Sequence, residues 1–167
     1  IRYPSKQNWW KTTLAWMSIG YETQIAPINT LAFYNAIANN GRMVKPRFVK
    51  AIMRDGEVIE EFPVEVLKES ICSSSALKKM QDMLEGVVSK GLGKQAGSKQ
   101  FHVSGKTGTA QVAQGAGGYK SGAMQYLVSF CGYFPSENPQ YSCIVAIRKP
   151  GYPASGGGMA GPVFSRI

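Results

Sequence analysis

One short stretch of the sequence combines residue types that could act on a peptide: Lys106, Thr107, Gly108 and Thr109. An ammonium group can bind a substrate carboxylate, hydroxyls can hydrogen-bond it, and backbone N–H groups can stabilise a developing oxyanion. In a strand, Gly105 and Gly108 would leave room for a second backbone to approach closely. The stretch therefore predicts a groove in which an extended peptide adds to the edge of a sheet, beside a nucleophile held elsewhere.

The same stretch has a plainer interpretation as an exposed edge strand that carries a solvated lysine. Average residue usage would produce a given tripeptide such as Lys-Thr-Gly in roughly a few per cent of chains of this length. The tripeptide alone therefore does not separate a binding groove from an ordinary edge strand, and the rest of the sequence has to decide.

The bulk composition is typical of one globular domain. The chain has 167 residues, of which 44% are apolar and 17% charged, and it contains 19 Gly and 9 Pro. This length and apolar fraction are enough to bury a core, while the Gly and Pro content indicates many loops. No apolar run approaches the roughly 18 residues of a membrane span, and no signal-peptide pattern opens the chain.

The charge is strongly positive, with 19 Lys and Arg against 10 Asp and Glu and a net charge of +9. Such an excess could attract nucleic acid, anionic lipid or an acidic polymer. However, the basic residues are scattered singly along the chain and form no recognisable nucleic-acid-reading motif. We therefore favour a solvated basic surface and expect no nucleic-acid partner; a DNA affinity that falls steeply with salt would indicate one.

Cysteine usage gives no evidence for a disulfide framework or a metal site. Cys72, Cys131 and Cys143 make an odd count, without a Cys-x-x-Cys pair. Cys131 and Cys143 fall on two arms of a predicted hairpin and could pair only if its register sets them opposite each other. We expect three free thiols, no metal and no cofactor.

Two helices are predicted in the part of the chain that precedes the motif. Pro27 suits the first position of a helix, and Asn40-Gly41 suits its left-handed end. Ser73, Ser74 and Ser75 are candidate caps of a second helix, which should end at Gly91 and Gly93. Its apolar positions follow helical spacing: Leu77, Met80, Leu84, Val87 and Val88. The segment Leu14–Tyr21 shows no clear period, so strand and loop both stay open there.

The strands predicted for the chain are antiparallel. Arg47–Phe62 forms a small hairpin, an insertion at about residues 47–62, around the two-residue turn Asp55-Gly56. Phe101–Val112 carries the motif, and Tyr126–Phe134 pairs with Tyr141–Lys149 through a turn rich in turn-forming residues. The resulting fold class is α+β, an antiparallel β-sheet flanked by helices.

Two glycine-rich segments are predicted to be loops. Ala113–Ala123 contains Gly115, Gly117 and Gly118, but no Gly-Lys-Ser/Thr sequence follows, so a mobile loop over the cleft is preferred to a phosphate loop. Gly156–Gly158 is predicted to be a flexible loop. Pro162 then marks the first turn of a last helix.

The wider sequence resembles one enzyme family. Residues 102–111, His-Val-Ser-Gly-Lys-Thr-Gly-Thr-Ala-Gln, resemble the third motif of the class B penicillin-binding proteins, whose superfamily uses Lys-Thr-Gly. Further stretches resemble the family in the same order and spacing: Met17–Glu22, Ala26–Ala32, Ala38–Gly41, Tyr126–Pro135 and Gly156–Phe164. The chain thus resembles the C-terminal part of a division-type peptidoglycan D,D-transpeptidase domain, covering residues 1–167 of one domain.

The resemblance implies a role for each residue of the motif. Lys106 should hold a substrate carboxylate and support proton transfer, while Thr107 and Thr109 should hydrogen-bond the stem peptide or a β-lactam carboxylate. The Thr109 amide should form half of an oxyanion hole. Gly108 belongs to the catalytic motif, and the substrate-binding stretch continues through Ala110 and Gln111.

The resemblance also implies a biological setting. The fold would be part of a penicillin-binding/β-lactamase-like transpeptidase fold, and the reaction would cross-link peptidoglycan stem peptides through an acyl-serine, in septal wall synthesis. The partners would be stem peptides, β-lactams and other wall-synthesis or division proteins. The protein would lie on the extracytoplasmic face of the bacterial inner membrane, in the periplasm, anchored by an N-terminal segment outside this chain.

Two strings imitate the other motifs of this family, Ser-x-x-Lys and Ser-x-Asn, which should both precede Lys-Thr-Gly. Ser75–Lys78 has no Ser-x-Asn between it and Lys106, and Ser136–Asn138 follows the motif. We therefore interpret Ser75 as a helix cap and Ser136 as a turn former. The nucleophilic serine is expected N-terminal to Ile1, and the chain alone should be inactive.

Two further expectations follow. His102 is expected to be structural, because the family uses lysines for proton transfer. The competing function is a non-catalytic module that binds a peptide or a polyanion; a Ser-x-x-Lys followed by a Ser-x-Asn upstream of Ile1 would exclude it.

Overall fold

The computed structural model describes residues 4–113, 118–119 and 124–167, and within them it contains four α-helices and seven strands. Short turns of other helix types lie at Lys6–Asn8, Lys94–Ala96 and Gly156–Ala160. In chain order the elements are α1 (Thr13–Ser18), α2 (Pro27–Ala38), β1 (Met43–Val44), β2 (Ala51–Arg54), β3 (Glu57–Glu61), β4 (Val66–Lys68), α3 (Ser74–Ser89), β5 (Ser104–Val112), β6 (Gln125–Phe134), β7 (Tyr141–Pro150) and α4 (Gly161–Phe164).

The centre of the fold is a three-stranded antiparallel sheet in the order β5-β6-β7. Its register is continuous: Ser104 of β5 lies opposite Tyr133, and the pairing runs without a bulge to Val112 opposite Gln125. β6 pairs with β7 in the same unbroken way, from Gln125 to Phe134. Strand β5, which carries the motif, is therefore an outer strand of this sheet.

Each face of the sheet carries its own apolar core, because successive side chains of a strand point to opposite faces. On one face Phe130 packs with Val103, Ala160 and Phe164, the last from α4. On the other face Tyr133 packs against α2 and α3 through Ile37, Leu77 and Leu84. The predicted class, an antiparallel sheet flanked by helices, is confirmed.

The predicted helix signals are confirmed with one correction. α2 begins with Pro27 at its first position and ends before Asn40 and Gly41, whose φ angles of 51° and 88° are left-handed. The cap of α3 is Ser73, whose hydroxyl accepts a hydrogen bond from the N–H of Ala76. Ser75, interpreted as a cap from the sequence, instead lies inside the first turn of the helix.

The segment Leu14–Tyr21, expected to be strand or loop, contains the short helix α1. Thr13 is its only buried residue, and the Thr13 hydroxyl accepts a hydrogen bond of 3.0 Å from the N–H of Trp10. Since local hydrogen bonds rather than an apolar face hold this helix, its sequence has no helical period to detect.

The predicted hairpin is confirmed but is shorter than residues 47–62. β2 and β3 pair around Asp55 and Gly56, which have φ angles of 52° and 88°, as a type I′ turn requires. The small β1–β4 ladder, with strands of two and three residues, has no counterpart in the sequence prediction. Strands this short carry too few alternating residues to be recognised.

Cys131 and Cys143 do not lie opposite each other, because Cys131 faces Ile144 and Cys143 faces Gly132. All three cysteines are free thiols, as expected. Among the helices that the structure describes, none has the length and apolarity needed to cross a membrane.

Candidate active site

The motif residues occupy the outer strand of the sheet, where one side of the backbone is open. Lys106 lies opposite Cys131 and Gln111 opposite Tyr126, so the whole motif is held by β6. In the part of the chain that the structure describes, no strand pairs with the other side of β5. The predicted edge strand is therefore present.

One hydrogen bond shows which backbone groups point to the open side. The N–H of Gln111 donates to the hydroxyl of Tyr21 at 3.0 Å, so Gln111 faces away from β6. In an antiparallel ladder, residues alternate between those bonded to the neighbour and those facing outward. Thr109 and Thr107, two and four residues earlier in an unbroken register, therefore also face outward. The N–H and C=O of Thr109 are thus available at the open edge.

The side chains of the motif divide between the two faces of β5. Thr109 accepts a hydrogen bond on its hydroxyl from the N–H of Gly156 at 3.1 Å, which places Thr107 and Thr109 on the face of the last helix. Lys106 is exposed on the opposite face, and its ammonium donates to the carbonyl of Thr107 at 2.9 Å. A single ligand can therefore contact both the Lys106 ammonium and the threonine hydroxyls only if it lies along the open edge of β5.

The glycines around Thr109 allow three backbone segments to touch. A Cβ on Gly156 would lie 2.4 Å from the carbonyl oxygen of Gly108 and 2.6 Å from that of Ser129. A Cβ on Gly108 would lie 2.5 Å from the hydroxyl of Ser129. A larger residue at Gly156 would push the glycine turn off the strand, whereas one at Gly108 would displace the Ser129 side chain.

The segment Gly156–Gly158, expected to be a flexible loop, is an ordered part of the site. It begins a π-helical turn, Gly156–Ala160, in which Gly156 and Gly157 are buried. Ser155 caps this turn by accepting a hydrogen bond from the N–H of Gly158. Because consecutive glycines are typical of flexible loops, no local pattern indicates that packing against β5 orders them.

Sequence reasoning missed Tyr21 as a residue of the site. Besides its bond to Gln111, its ring contacts Trp16 at 5.4 Å and Tyr119 at 5.6 Å between centroids. Trp16 stacks on Tyr119, whose carbonyl accepts a hydrogen bond of 2.9 Å from the Gln111 side chain. The only available signal was the position of Tyr21 within a stretch that resembles the family.

The electrostatic setting of the motif favours an anionic ligand. Among the described residues, no carboxylate forms an ion pair with Lys106. Since Lys106 and Thr109 are exposed at the same edge, a ligand can reach both groups from solvent. A charge-assisted hydrogen bond to the ammonium would add affinity and orientation.

The Ser75–Lys78 string does not form a nucleophile and base. The Lys78 ammonium pairs with Asp82 at 2.9 Å, and this hydrogen bond raises the pKa of Lys78. The hydroxyl of Ser75 lies 3.2 Å from that of Ser73. The Lys78 and Ser75 side chains therefore have other partners, and these contacts agree with a structural role.

Ser136 also has structural partners. Its hydroxyl lies 2.8 Å from the hydroxyl of Ser104, and its N–H donates to the carbonyl of His102. The Nδ1 atom of His102 lies 2.6 Å from a carboxylate oxygen of Glu137 and 3.5 Å from one of Glu85. These bonds join α3 and the β6–β7 turn to the segment before β5, away from the open edge at Thr109.

Most of the glycine-rich stretch at 113–123, including Gly115 and Gly117, lies outside the described residues, so the mobile loop over the cleft stays a prediction. Within the described ranges, no cluster of three or more His, Cys, Asp or Glu side chains could hold a metal ion.

Comparison with known proteins gives a consistent family. Residues 3–167 match the family described as "Penicillin binding protein transpeptidase domain". The chain is 30% identical over 163 residues to the peptidoglycan D,D-transpeptidase FtsI homolog of Mesostigma viride, covering 90% of the chain and 27% of the relative. It is 29% identical over 174 residues to the penicillin-binding protein PbpB of Mycolicibacterium smegmatis, covering 98% and 26%.

Solved structures agree with the sequence relatives. The transpeptidase domain of penicillin-binding protein 3 from Burkholderia pseudomallei superposes with a TM-score of 0.71 at 29% identity, covering 98% of this chain and 46% of that one. The chain therefore spans about a quarter of the first two relatives and less than half of this structure.

Proposed function

Because the chain belongs to the penicillin-binding protein transpeptidase domain family, we propose that its β5 edge is the substrate-binding wall of a peptidoglycan D,D-transpeptidase. The observation that carries this proposal is the outward-facing backbone of Thr109 on an exposed strand that also bears Lys106. An extended peptide can pair with this edge as an added strand.

The backbone of Thr109 suits the stabilisation of an acyl-transfer intermediate. A substrate residue directly opposite Thr109 would accept from its N–H and donate to its C=O. The accepting carbonyl would become the oxyanion when a serine attacks it, so the Thr109 N–H would supply one donor of the oxyanion hole. The terminal D-residue would leave as a free amine, and a second stem peptide would then attack the acyl-serine.

The side chains around this point suit the substrate carboxylate. An antiparallel peptide paired at Thr109 has its carboxyl end next to Thr107 and Lys106. The Lys106 ammonium would bind this carboxylate, and the hydroxyls of Thr107 and Thr109 would donate hydrogen bonds to it. Ala110 and Gln111 would lie near the substrate residues that precede the reacting one.

We propose that the nucleophilic serine lies in a part of the protein N-terminal to Ile1 and that this chain alone does not form an acyl-enzyme. Two observations support this proposal. The chain spans only 27% of the length of its relative from Mesostigma viride, and the hydroxyls of Ser75 and Ser136 contact other serine hydroxyls. The full protein would act in septal wall synthesis on the periplasmic face of the inner membrane, with other wall-synthesis proteins as partners.

Labelling with a fluorescent penicillin tests this function. We expect the full-length protein to be labelled at a serine upstream of Ile1, and residues 1–167 alone to remain unlabelled. Mass spectrometry of the modified peptide identifies the serine. Labelling of Ser75 or Ser136, or no labelling of the folded full-length protein, would reject the proposal.

A lysine substitution tests the motif itself. Lys106→Gln in the full-length protein should slow acylation about 10- to 100-fold, because a hydrogen bond to a charged group contributes roughly 1.5–3 kcal/mol. Lys94→Gln, a change at another lysine of the chain, serves as the matched control and should leave the rate within twofold. Equal rates for the two variants would contradict a role for Lys106.

A further inference from the structure

The hydrogen bond between Tyr21 and Gln111 closes one position of the open edge. The N–H of Gln111 is the next outward-facing donor after that of Thr109, and the Tyr21 hydroxyl already accepts it at 3.0 Å. A strand added to β5 would therefore find a free donor at Thr109 but an occupied one at Gln111.

The Tyr21 ring is fixed on several sides. It makes edge-to-face contacts with Trp16 and Tyr119, which stack on each other at 6.1 Å. The Gln111 side chain binds the carbonyl of Tyr119, so both partners of the Tyr21–Gln111 bond are held by the same cluster. A hydroxyl positioned in this way blocks the edge, because moving the Tyr21 ring would disrupt its two ring contacts.

The blocked position corresponds to a defined atom of the substrate. If the residue that carries the attacked carbonyl lies opposite Thr109, the residue opposite Gln111 precedes it by two. That residue is the fourth from the carboxyl end of the peptide. Its carbonyl is the group that a free Gln111 N–H would bind.

We propose that Tyr21 is a specificity-determining residue that ends strand addition after the residue opposite Thr109. This inference rests on the proposed transpeptidase function. The substrate class is then a peptide whose two carboxyl-terminal residues are recognised through the β5 backbone. The preceding residues leave the edge, and their backbone contributes little to binding by β5.

Two synthetic substrates test the proposal in the full-length protein. The first is N-acetyl-X-D-alanyl-D-alanine, where X is any one amino acid; its acetyl carbonyl occupies the position opposite Gln111. In the second, a hydrogen replaces the acetamido group of X. For the wild type we expect the two kcat/KM values to agree within about twofold. Tyr21→Phe keeps the ring and frees the Gln111 N–H. For this variant the kcat/KM of the acetylated substrate should exceed that of the other substrate about 3- to 10-fold.

Tyr119→Phe is the matched control, because it removes a hydroxyl from the same cluster without freeing the Gln111 N–H. Its ratio of the two kcat/KM values should equal that of the wild type. The inference would be overturned if the kcat/KM of the wild type is already more than threefold higher for the acetylated substrate than for the other. It would also be overturned if Tyr21→Phe still reacts with fluorescent penicillin but keeps the wild-type ratio. If the wild type fails to react with penicillin at all, the proposed function fails instead.

Discussion

At the scale of single residues, Thr109 links the chemistry of the site to its architecture. Its backbone faces the open edge, while its hydroxyl accepts the N–H of buried Gly156. The same residue thus presents a donor to a substrate and fixes the glycine turn that covers the neighbouring face. The strand and the turn should therefore respond together to changes at this position.

Substitution of Thr109 tests this link. Thr109→Val preserves the shape of the side chain but leaves the Gly156 N–H without its acceptor, so we expect a loss of about 1–3 kcal/mol in the free energy of unfolding. Thr109→Ser keeps the hydroxyl and should lose less. Urea unfolding followed by tryptophan fluorescence measures both; equal losses would contradict the role of the hydroxyl.

Cys131 should make stability depend on alkaline pH. Burial, and to a smaller extent the neighbouring Cys143, raises the pKa of the Cys131 thiol from 9.0 to about 12. The unfolded thiol ionises first as the pH rises, so stability is intact below pH 9 and declines between pH 9 and about 12. One such group contributes up to about 1.4 kcal/mol per pH unit.

Variants separate this thiol from other groups that titrate at alkaline pH. Cys131→Ala should reduce the slope of unfolding free energy against pH above pH 9, whereas Cys72→Ala, at an exposed position, should not. A Cys131→Ala slope identical to that of the wild type would show that this thiol does not limit alkaline stability.

At the scale of elements, α3 connects both cores, since Val88 packs on one face of the sheet and Leu84 on the other. Gly86 in the helix and Gly91 after its end differ in surroundings. A Cβ on Gly86 would meet no atom within 4 Å, whereas a Cβ on Gly91, just beyond the helix, would lie 2.8 Å from the carbonyl oxygen of Val87.

Alanine substitutions should therefore have opposite effects. Gly86→Ala should stabilise the protein by about 0.5–1 kcal/mol, because alanine loses less backbone entropy in a helix. Gly91→Ala should destabilise it by about 1–3 kcal/mol through overpacking. Thermal unfolding of the two variants beside the wild type measures this; destabilisation by both would show that Gly86 is not free to accept a methyl group.

How far the sequence predicts an element depends on what holds that element. α2, α3 and the hairpin at Asp55-Gly56 have apolar periods, caps or positive-φ residues, and these signals are local. α1 and the turn Gly156–Ala160 depend on hydrogen bonds and backbone contacts with neighbouring segments. The bond in α1 is local but produces no apolar period, whereas the contacts of the turn join residues far apart in the sequence. Neither therefore leaves a detectable local pattern.

The same distinction applies to the site. The Lys106–Thr109 motif identified the strand and its exposed edge, because the motif residues are contiguous. The bond from Gln111 to Tyr21 joins residues 90 positions apart, and it shows which backbone groups of β5 face outward. The direction of the Thr109 backbone therefore required the three-dimensional structure.

At the scale of the whole molecule, the charge is unevenly distributed. The segment from Asp55 to Glu69 holds six of the ten acidic residues of the chain and includes β3 and β4. The remainder is therefore more basic than the net charge of +9 suggests. This basic remainder would attract anionic substrates at low salt.

The central claim is that the Thr109 backbone binds the reacting carbonyl. A crystal structure of the full-length protein acylated by penicillin tests it most directly. The account predicts the acyl carbonyl oxygen within about 2.7–3.1 Å of the Thr109 nitrogen and the penicillin carboxylate in contact with Thr107, Thr109 or Lys106. An adduct whose carbonyl oxygen lies away from β5, with Thr109 still facing solvent, would contradict it.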